Sequence, residues 1–113
     1  MHEFSIAVNI VEIAEETARH HHAVKINDIV IEIGEASGIV PAALELAMQS
    51  AIKNTMLETG KITLVYIPAS AICNVCRHRF KPDNLIAVCA LCNSFDVTII
   101  SGKEMRVKSI EID

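Results

Sequence analysis

Apolar residues recur at helical spacing near the start of the chain. Between residues 3 and 19 they return every three or four positions, while Asn, Glu and Arg fill the rest of each turn. Isoleucines at positions 6, 10 and 13 widen the apolar face of this segment. The pattern predicts a first helix that lies on a β-sheet, because such a helix needs a broad apolar stripe.

Period-two alternation follows the first helix. The segment VKINDIVIEI (24–33) alternates isoleucine with polar residues and predicts a strand, and the glycines and proline of residues 34–41 predict a turn. Residues 42–57 return to helical spacing, and Gly60 is a suitable stop. KITLVYI (61–67) predicts a second strand. A strand, a crossover helix and a strand in this order predict a parallel pair with a right-handed connection.

Two more strands are predicted near the end of the chain. FDVTII (95–100) and MRVKSIEI (105–112) show strand patterning, and SGK between them is predicted to form a hairpin turn. The last strand is predicted to rejoin the first sheet. The short, cysteine-bearing segment of residues 70–93 would then be part of an insertion in the sheet domain.

Composition and charge narrow the function. The 113 residues are 51% hydrophobic and 21% charged, which favours one compact unit. A net charge of −4 argues against a phosphate-binding surface and hence against nucleic acid. We find no apolar run of membrane-spanning length and no signal-peptide pattern at the start, so we expect a cytoplasmic protein. Cysteines in the cytoplasm stay reduced, which favours a metal site over disulfides.

Four cysteines form two equal pairs, C-x2-C, twelve residues, C-x2-C, at Cys73, Cys76, Cys89 and Cys92. This spacing is typical of a structural zinc ribbon, in which four thiolates close the tetrahedral coordination and leave no catalytic position. A rubredoxin-like iron site that carries electrons is an alternative, since tetrahedral sulfur also suits iron. A zinc-ribbon adaptor that binds nucleic acid or a polymerase is another, supported only by the weakly basic edge of Arg77, Arg79 and Lys81. We expect His78 to lie beside the metal rather than ligate it.

Met1, His2 and Glu3 offer an amine, an imidazole and a carboxylate in three residues. The α-amine and the amide nitrogen of His2 close a five-membered chelate ring, and the imidazole closes a six-membered ring with the same amide. Such nitrogen-rich sets suit Ni(II) or Cu(II). From the residues alone, a frayed terminus in which Glu3 supports the first turn is the other interpretation.

Three histidines, His20, His21 and His22, stand at the predicted end of the first helix. Consecutive helical residues point about 100° apart and do not converge on one ion. A solvated helix end, where imidazolium is favourable with the helix dipole, is the preferred interpretation. A nickel site at these histidines is the alternative.

The chain resembles the HypA/HybF family of hydrogenase maturation factors. The residues that carry the resemblance are the MHE start, IGEASGIVPAALELA, the two C-x2-C pairs and the closing GKEMRVKSIEI. The resemblance implies a nickel metallochaperone that hands Ni(II) to the large subunit of a [NiFe]-hydrogenase, together with a HypB-type GTPase. In some organisms such proteins also supply urease, which would add urease accessory proteins as partners. A homodimer is left open. We find no nucleophile–base pair or phosphate loop, so we do not expect an enzyme.

By this resemblance His2 is the principal nickel ligand, Met1 binds through its amine and Glu3 lies nearby. The four cysteines become the structural zinc ligands. The implied fold class is α+β, with two helices packed on a small mixed β-sheet and an inserted zinc-ribbon subdomain. Residues 1–69 plus 101–113 would form the nickel-binding domain and residues 70–100 the zinc-binding domain. Two departures stand out: CALC lacks the proline that many relatives have in the second pair, and Val40 and Pro41 offer no side-chain donor.

Overall fold

The computed structural model describes residues 2–82 and 87–113, apart from the side chain of His2. These residues contain two helices and six strands, in the order of a helix, a strand, a second helix and then five further strands. Their bounds are α1 His2–His20, β1 Ile26–Gly34, α2 Pro41–Ala51, β2 Lys61–Ile67, β3 Ser70–Cys73, β4 Arg79–Phe80, β5 Val97–Ser101 and β6 Met105–Ile112. Within residues 2–82 and 87–113, no helix is long and apolar enough to cross a membrane.

The first sheet is mixed and has the strand order β2-β1-β6. β1 and β2 are parallel, from Asp28 opposite Lys61 to Gly34 opposite Ile67, and α2 forms the crossover between them. β6 runs antiparallel along the other side of β1, with Ile29 opposite Ile110. The predicted parallel pair and the return of the last strand to the first sheet are both confirmed, and so is the α+β class.

The core lies between the helices and one face of the first sheet. Ile29, Ile31 and Ile33 of β1 are fully buried, because alternate residues of a strand point to the same face. The facing stripe of α1 follows the helical period and is also buried. It consists of Ala7, Ile10, Val11, Ala14 and Ala18.

The second helix is shorter than predicted. α2 ends at Ala51, whereas helical spacing of apolar residues continues to Leu57. Turns replace the helix after Ala51: Asn54 adopts a left-handed conformation with φ 62°, and the Thr55 hydroxyl donates to the Ile52 carbonyl at 2.6 Å. Asn tolerates this conformation better than most residues, which explains the break. Leu57 nevertheless remains fully buried in the core.

The predicted hairpin at SGK is wrong. β5 pairs with β3 in a second, antiparallel sheet of order β4-β3-β5, and β6 pairs with β1 in the first. Gly102 therefore connects two sheets rather than two neighbouring strands. It has φ 98°, and a Cβ there would overlap the backbone of Ala69, so only glycine fits this passage.

Candidate metal centre

Two backbone turns of the same geometry present the cysteines. In the first turn, Cys73 N–H donates to the His78 carbonyl and Arg77 N–H donates to the Cys73 carbonyl. The second turn repeats this pattern, with donation from Cys89 to Ser94 and from Asn93 to Cys89. All four distances are 2.9 Å. The residue before the end of each turn, Arg77 in one and Asn93 in the other, has a positive φ of 68° or 59°. The two C-x2-C pairs thus adopt the same turn, and we call these turns the knuckles, residues 73–78 and 89–94.

The knuckles bring the four thiols together. Cys73 and Cys92 have their Sγ atoms 3.6 Å apart, Cys76 and Cys89 have theirs 3.5 Å apart, and all four lie within 4.8 Å of one another. Four sulfurs at the usual Zn–S length of about 2.3 Å stand about 3.8 Å apart at the corners of a tetrahedron. The predicted set of four cysteines therefore fits a tetrahedral metal ion, and among the described residues it is the one His, Cys, Asp and Glu cluster of three or more.

The first cysteine of each knuckle is prepared to be a thiolate. Cys73 and Cys89 are buried, while Cys76 and Cys92 are exposed. The N–H of Cys76 donates to the Cys73 sulfur, and together with a second backbone N–H it lowers the pKa of Cys73 to about 7. The N–H of Cys92 lowers the pKa of Cys89 in the same way. Since a metal binds the thiolate, these backbone N–H groups favour binding at Cys73 and Cys89. At Cys76 and Cys92 a backbone N–H also lowers the pKa, but the neighbouring sulfurs and burial outweigh it, so the pKa of both thiols is raised.

A polar network that the sequence did not indicate ties the knuckles to the second sheet. Asn74 donates from its side chain to Asp96 at 3.1 Å and to Thr98 at 3.0 Å, and its backbone N–H donates to the Asp96 carbonyl. The first knuckle is thereby fixed to the segment after the second one. An asparagine inside a C-x2-C pair was the available signal, but its partners are more than twenty residues away.

The charged and aromatic residues around the knuckles lie outside the cysteine cluster. His78 is half-buried and stacks on Phe80, with the ring centroids 6.0 Å apart, and it does not belong to the cysteine cluster. Arg77 and Arg79 are exposed. Lys81 is engaged elsewhere, because its ammonium pairs with Glu35 at 2.5 Å.

A dense junction joins the cysteine-bearing sheet to the first sheet. Gly34 donates to the Glu104 carbonyl and Ala36 donates to the Gly102 carbonyl, both at 2.6 Å. The Glu35 carboxylate accepts from the Ala69 N–H at 3.0 Å as well as from Lys81. These two contacts, the lysine first, hold the pKa of Glu35 below its ordinary value. The carboxylate thus connects the residue before β3 and the residue after β4 to the first sheet.

The three residues predicted to bind nickel stand at the start of α1. Met1 lies outside the described residues, as does the side chain of His2, whose backbone begins the helix. Glu3 is half-buried in the first turn. The predicted nickel ligands are therefore not brought together or separated by any described contact, and their assignment stays a prediction.

The second half of α1 contacts the beginning of β1. Glu15 accepts the N–H of Met56 at 2.9 Å, and the Met56 carbonyl accepts the N–H of Ile26 at 2.9 Å. The first turn of α1 is therefore directed away from the beginning of β1. The cysteine-bearing segment leaves the first sheet at the other end of β1, near Gly34.

The three histidines stand at the opposite end of α1, and all are exposed. They close the helix with a Schellman turn, in which Ala23 N–H donates to the Ala18 carbonyl and His22 adopts φ 59°. Within the described residues they join no cluster of three potential ligands. The solvated helix end fits these contacts.

The chain is similar to known proteins over almost its whole length. A family model described as HypA, hydrogenase/urease nickel incorporation, metallochaperone, matches residues 1–112. The hydrogenase maturation factor HypA of Parabacteroides distasonis is 43% identical over 112 residues, which cover 99% of this chain and 97% of that protein. The protein of the same name from Picosynechococcus is 36% identical, and the alignment covers 99% of both chains.

Solved structures agree with the sequence relatives. The solution structure of the Ni metallochaperone HypA from Helicobacter pylori is similar with a TM-score of 0.70 and 32% identity, over 99% of this chain and 97% of that one. A second solution structure, of HypA protein, has a TM-score of 0.73 at 32% identity, over 99% of this chain and 96% of that one.

Proposed function

The chain belongs to the HypA family of hydrogenase/urease nickel-incorporation metallochaperones, and from that premise we propose that it binds Ni(II) at its N-terminus and delivers it for the maturation of [NiFe]-hydrogenase. It would act as a carrier of the ion and not as an enzyme. A HypB-type GTPase and the hydrogenase large subunit are the partners that the family resemblance suggests. Supply of urease, with its accessory proteins, belongs to the same proposal.

The observation that carries the nickel proposal is the start of α1 at His2. The first N–H groups of a helix have no carbonyl partner within the helix. The amide nitrogens of His2 and Glu3 are therefore available as metal ligands beside the Met1 amine and the His2 imidazole. A dication at this end opposes the helix dipole, and the Glu3 carboxylate would offset that cost. Val40, which precedes α2, is exposed but contributes no donor.

We further propose that Cys73, Cys76, Cys89 and Cys92 hold a structural Zn(II). The mutual distances of the four sulfurs support a tetrahedral ion, and four thiolates leave no open position for chemistry. Zinc would stabilise the small second sheet, whose own buried apolar surface is limited to residues such as Ala71. Residues 70–100 would form this zinc-binding domain, and residues 1–69 plus 101–113 the nickel-binding domain.

Extension of the N-terminus tests the nickel proposal. One or two added residues turn the Met1 amine into an amide and move His2 away from the end, so we expect tight nickel binding to be lost while the fold is kept. His2→Ala should have the same effect, and Glu3→Gln should weaken binding less. Calorimetric nickel titration measures all three. A triple His20/His21/His22→Ala variant is the control and should bind nickel normally.

Two results would contradict the proposal. Tight binding that survives both the extension and His2→Ala would exclude the terminal site, and loss of binding in the triple variant would move the site to the other end of α1. Elemental analysis of the same samples should give one zinc per chain throughout, because the cysteines are remote from these changes. Iron with a red colour would instead support the electron-carrier alternative.

A further inference from the structure

A cavity lies where the parallel strands β1 and β2 end. Its volume is about 480 Å³, within the range of about 300–1,000 Å³ that ligand sites occupy. Gly34 of β1 and Tyr66 of β2 contribute to its wall, and Lys81 reaches it from the segment after β4. The cavity therefore lies at the junction of the two sheets, apart from the four cysteines.

The wall of this cavity favours an uncharged, apolar occupant. Its two charged side chains, Glu35 and Lys81, form an ion pair at 2.5 Å and neutralise each other. Much of the remaining wall is apolar and includes Ile39, Pro41 and Pro68. A bulky apolar side chain that enters the cavity would thus leave water without stripping an unpaired charge of its hydration.

The strand that leads to the cavity has unpaired backbone groups. The Ile67 carbonyl accepts the N–H of Glu35 at 2.8 Å, so Ile67 directs its backbone groups toward β1. Because this direction alternates along a strand, the even-numbered residues of β2 face away from β1. In the described part of the chain β2 pairs only with β1, which leaves three residues with outward N–H and C=O groups: Ile62, Leu64 and Tyr66.

β2 also lacks the features that usually shield an outer strand, which are charges, prolines and irregular register. It keeps one regular register with β1 over its seven residues, and Lys61 is its single charge. β6, on the other side of β1, carries Arg106 and Lys108 and has register shifts. The less protected outer strand is thus the one that ends at the cavity.

We propose that β2 and this cavity together bind an extended segment of a partner protein that carries a bulky apolar side chain. The segment adds a strand to the first sheet through the outward groups of β2. Opposite residues of neighbouring strands point to the same face of a sheet, so the residue opposite Tyr66 places its side chain beside the Tyr66 ring, at the cavity. Backbone hydrogen bonds supply affinity, and the cavity supplies selectivity.

A second copy of β2 does not meet this requirement. When two copies pair antiparallel about Leu64, Ile62 of one copy stands opposite Tyr66 of the other. Ile62 already packs against the core of its own copy, so its side chain is not free to fill a second cavity. The occupant is therefore a segment of a different protein. The inference does not require nickel, so its failure and the failure of the nickel proposal are distinguishable.

Calorimetric titration of the zinc-loaded, nickel-free protein with four capped heptapeptides tests this proposal. Each peptide consists of threonine and lysine around one central residue, which is tryptophan, leucine, alanine or aspartate. We expect the tryptophan and leucine peptides to bind about tenfold or more tightly than the other two, because burial of one large apolar side chain contributes that much. Equal affinities of the four peptides, or the failure of all four to bind, would overturn the inference.

Amide hydrogen exchange locates the bound peptide. Exchange at Ile62, Leu64 and Tyr66 should slow when the tryptophan peptide is added, whereas Thr63 and Val65 bond to β1 and should be protected throughout. New protection in β5 instead would contradict the use of β2. Protection of the three outward amides that develops without peptide, as the protein concentration rises, would make a second copy the occupant and would also overturn the inference.

Tyr66→Pro and Tyr66→Ala form a matched pair of variants. Both lose the tyrosine ring, but only proline removes the outward N–H, and an outer strand tolerates proline where the N–H faces away from its neighbour. We expect Y66P to bind the tryptophan peptide about fivefold or more weakly than Y66A, since one backbone hydrogen bond contributes about that factor. Urea denaturation checks that both variants are folded. Equal affinities of two folded variants would exclude strand addition at Tyr66.

Discussion

Replacement of Gly34 by alanine should destabilise the junction between the two sheets. A Cβ at this position would overlap the carbonyl of Gly102 and the amide of Lys103, which are backbone groups that cannot turn aside. The end of β1 crosses the connection between β5 and β6 here, and two hydrogen bonds of 2.6 Å hold this crossing, from Gly34 to Glu104 and from Ala36 to Gly102. Overpacking typically costs about 1–3 kcal/mol, and a lost backbone bond adds about 1 kcal/mol. We therefore expect G34A to lower the free energy of unfolding by about 2–4 kcal/mol.

Urea denaturation of the zinc-loaded protein, followed by the helical circular dichroism signal, measures this loss. G38A is the matched control, because Gly38 also has a positive φ, of 82°, but a Cβ there would meet nothing within 4 Å. The control should lose about 1 kcal/mol for the left-handed backbone, partly offset by the stiffer unfolded chain. Equal stability of G34A and G38A would show that the close crossing of the two connections does not hold the junction.

Three further outcomes follow from the packing and charges. Leu57→Ala should cost about 2–5 kcal/mol in urea denaturation because this side chain is fully buried, whereas Leu46→Ala, at 72% exposure, should change little; similar losses would contradict the placement of Leu57. The pKa of Glu35 is lowered in the folded protein, so the contribution of its carboxylate to stability is complete above its ordinary pKa of 4.5 and is lost as the pH falls through the folded value. E35Q should remove this part of the acid dependence of unfolding, and an unchanged dependence of the unfolding free energy on pH would refute the prediction. Cys76→Ser should abolish stoichiometric zinc by elemental analysis while the helical signal persists, and full retention of zinc would exclude the four-thiolate site.

Local patterns predicted the elements whose partners lie nearby in the sequence. The alternation of Ile29, Ile31 and Ile33 identified β1, and the order of strand, helix and strand identified the parallel pair, because both depend on short-range periodicity. The end of α2 was missed, since Leu57 continues the apolar period although Asn54 has already turned the chain. A buried residue at helical spacing does not distinguish a helix from a turn that packs on the same core.

The strand β5 was predicted, but its pairing was not, and the reason is different. Its partner β3 begins at Ser70, and the Ser70 and Ser101 hydroxyls meet at 2.5 Å across thirty-one positions of sequence. A glycine between two strand-like segments usually indicates a hairpin, and nothing local reveals that Gly102 instead passes against Ala69. The cysteines, in contrast, were identified because the spacing within each pair sets the geometry of its own knuckle. Asn74 was not, because its partners belong to the distant β5 region.

Chain topology brings both connections of the cysteine-bearing segment to one end of the first sheet. β1 and β2 are parallel, so both end at the same edge, and β6 begins there because it runs antiparallel to β1. Any segment inserted between β2 and β6 must leave and return at that edge. The contact between Glu15 and Met56 places the second half of α1 at the beginning of β1, so its first turn is directed away from that beginning. If nickel is held at His2 as proposed, we therefore expect a partner that accepts the ion to approach the end of the molecule from which the cysteine-bearing sheet departs, and to meet the exposed Val75 and Leu91 of the two knuckles.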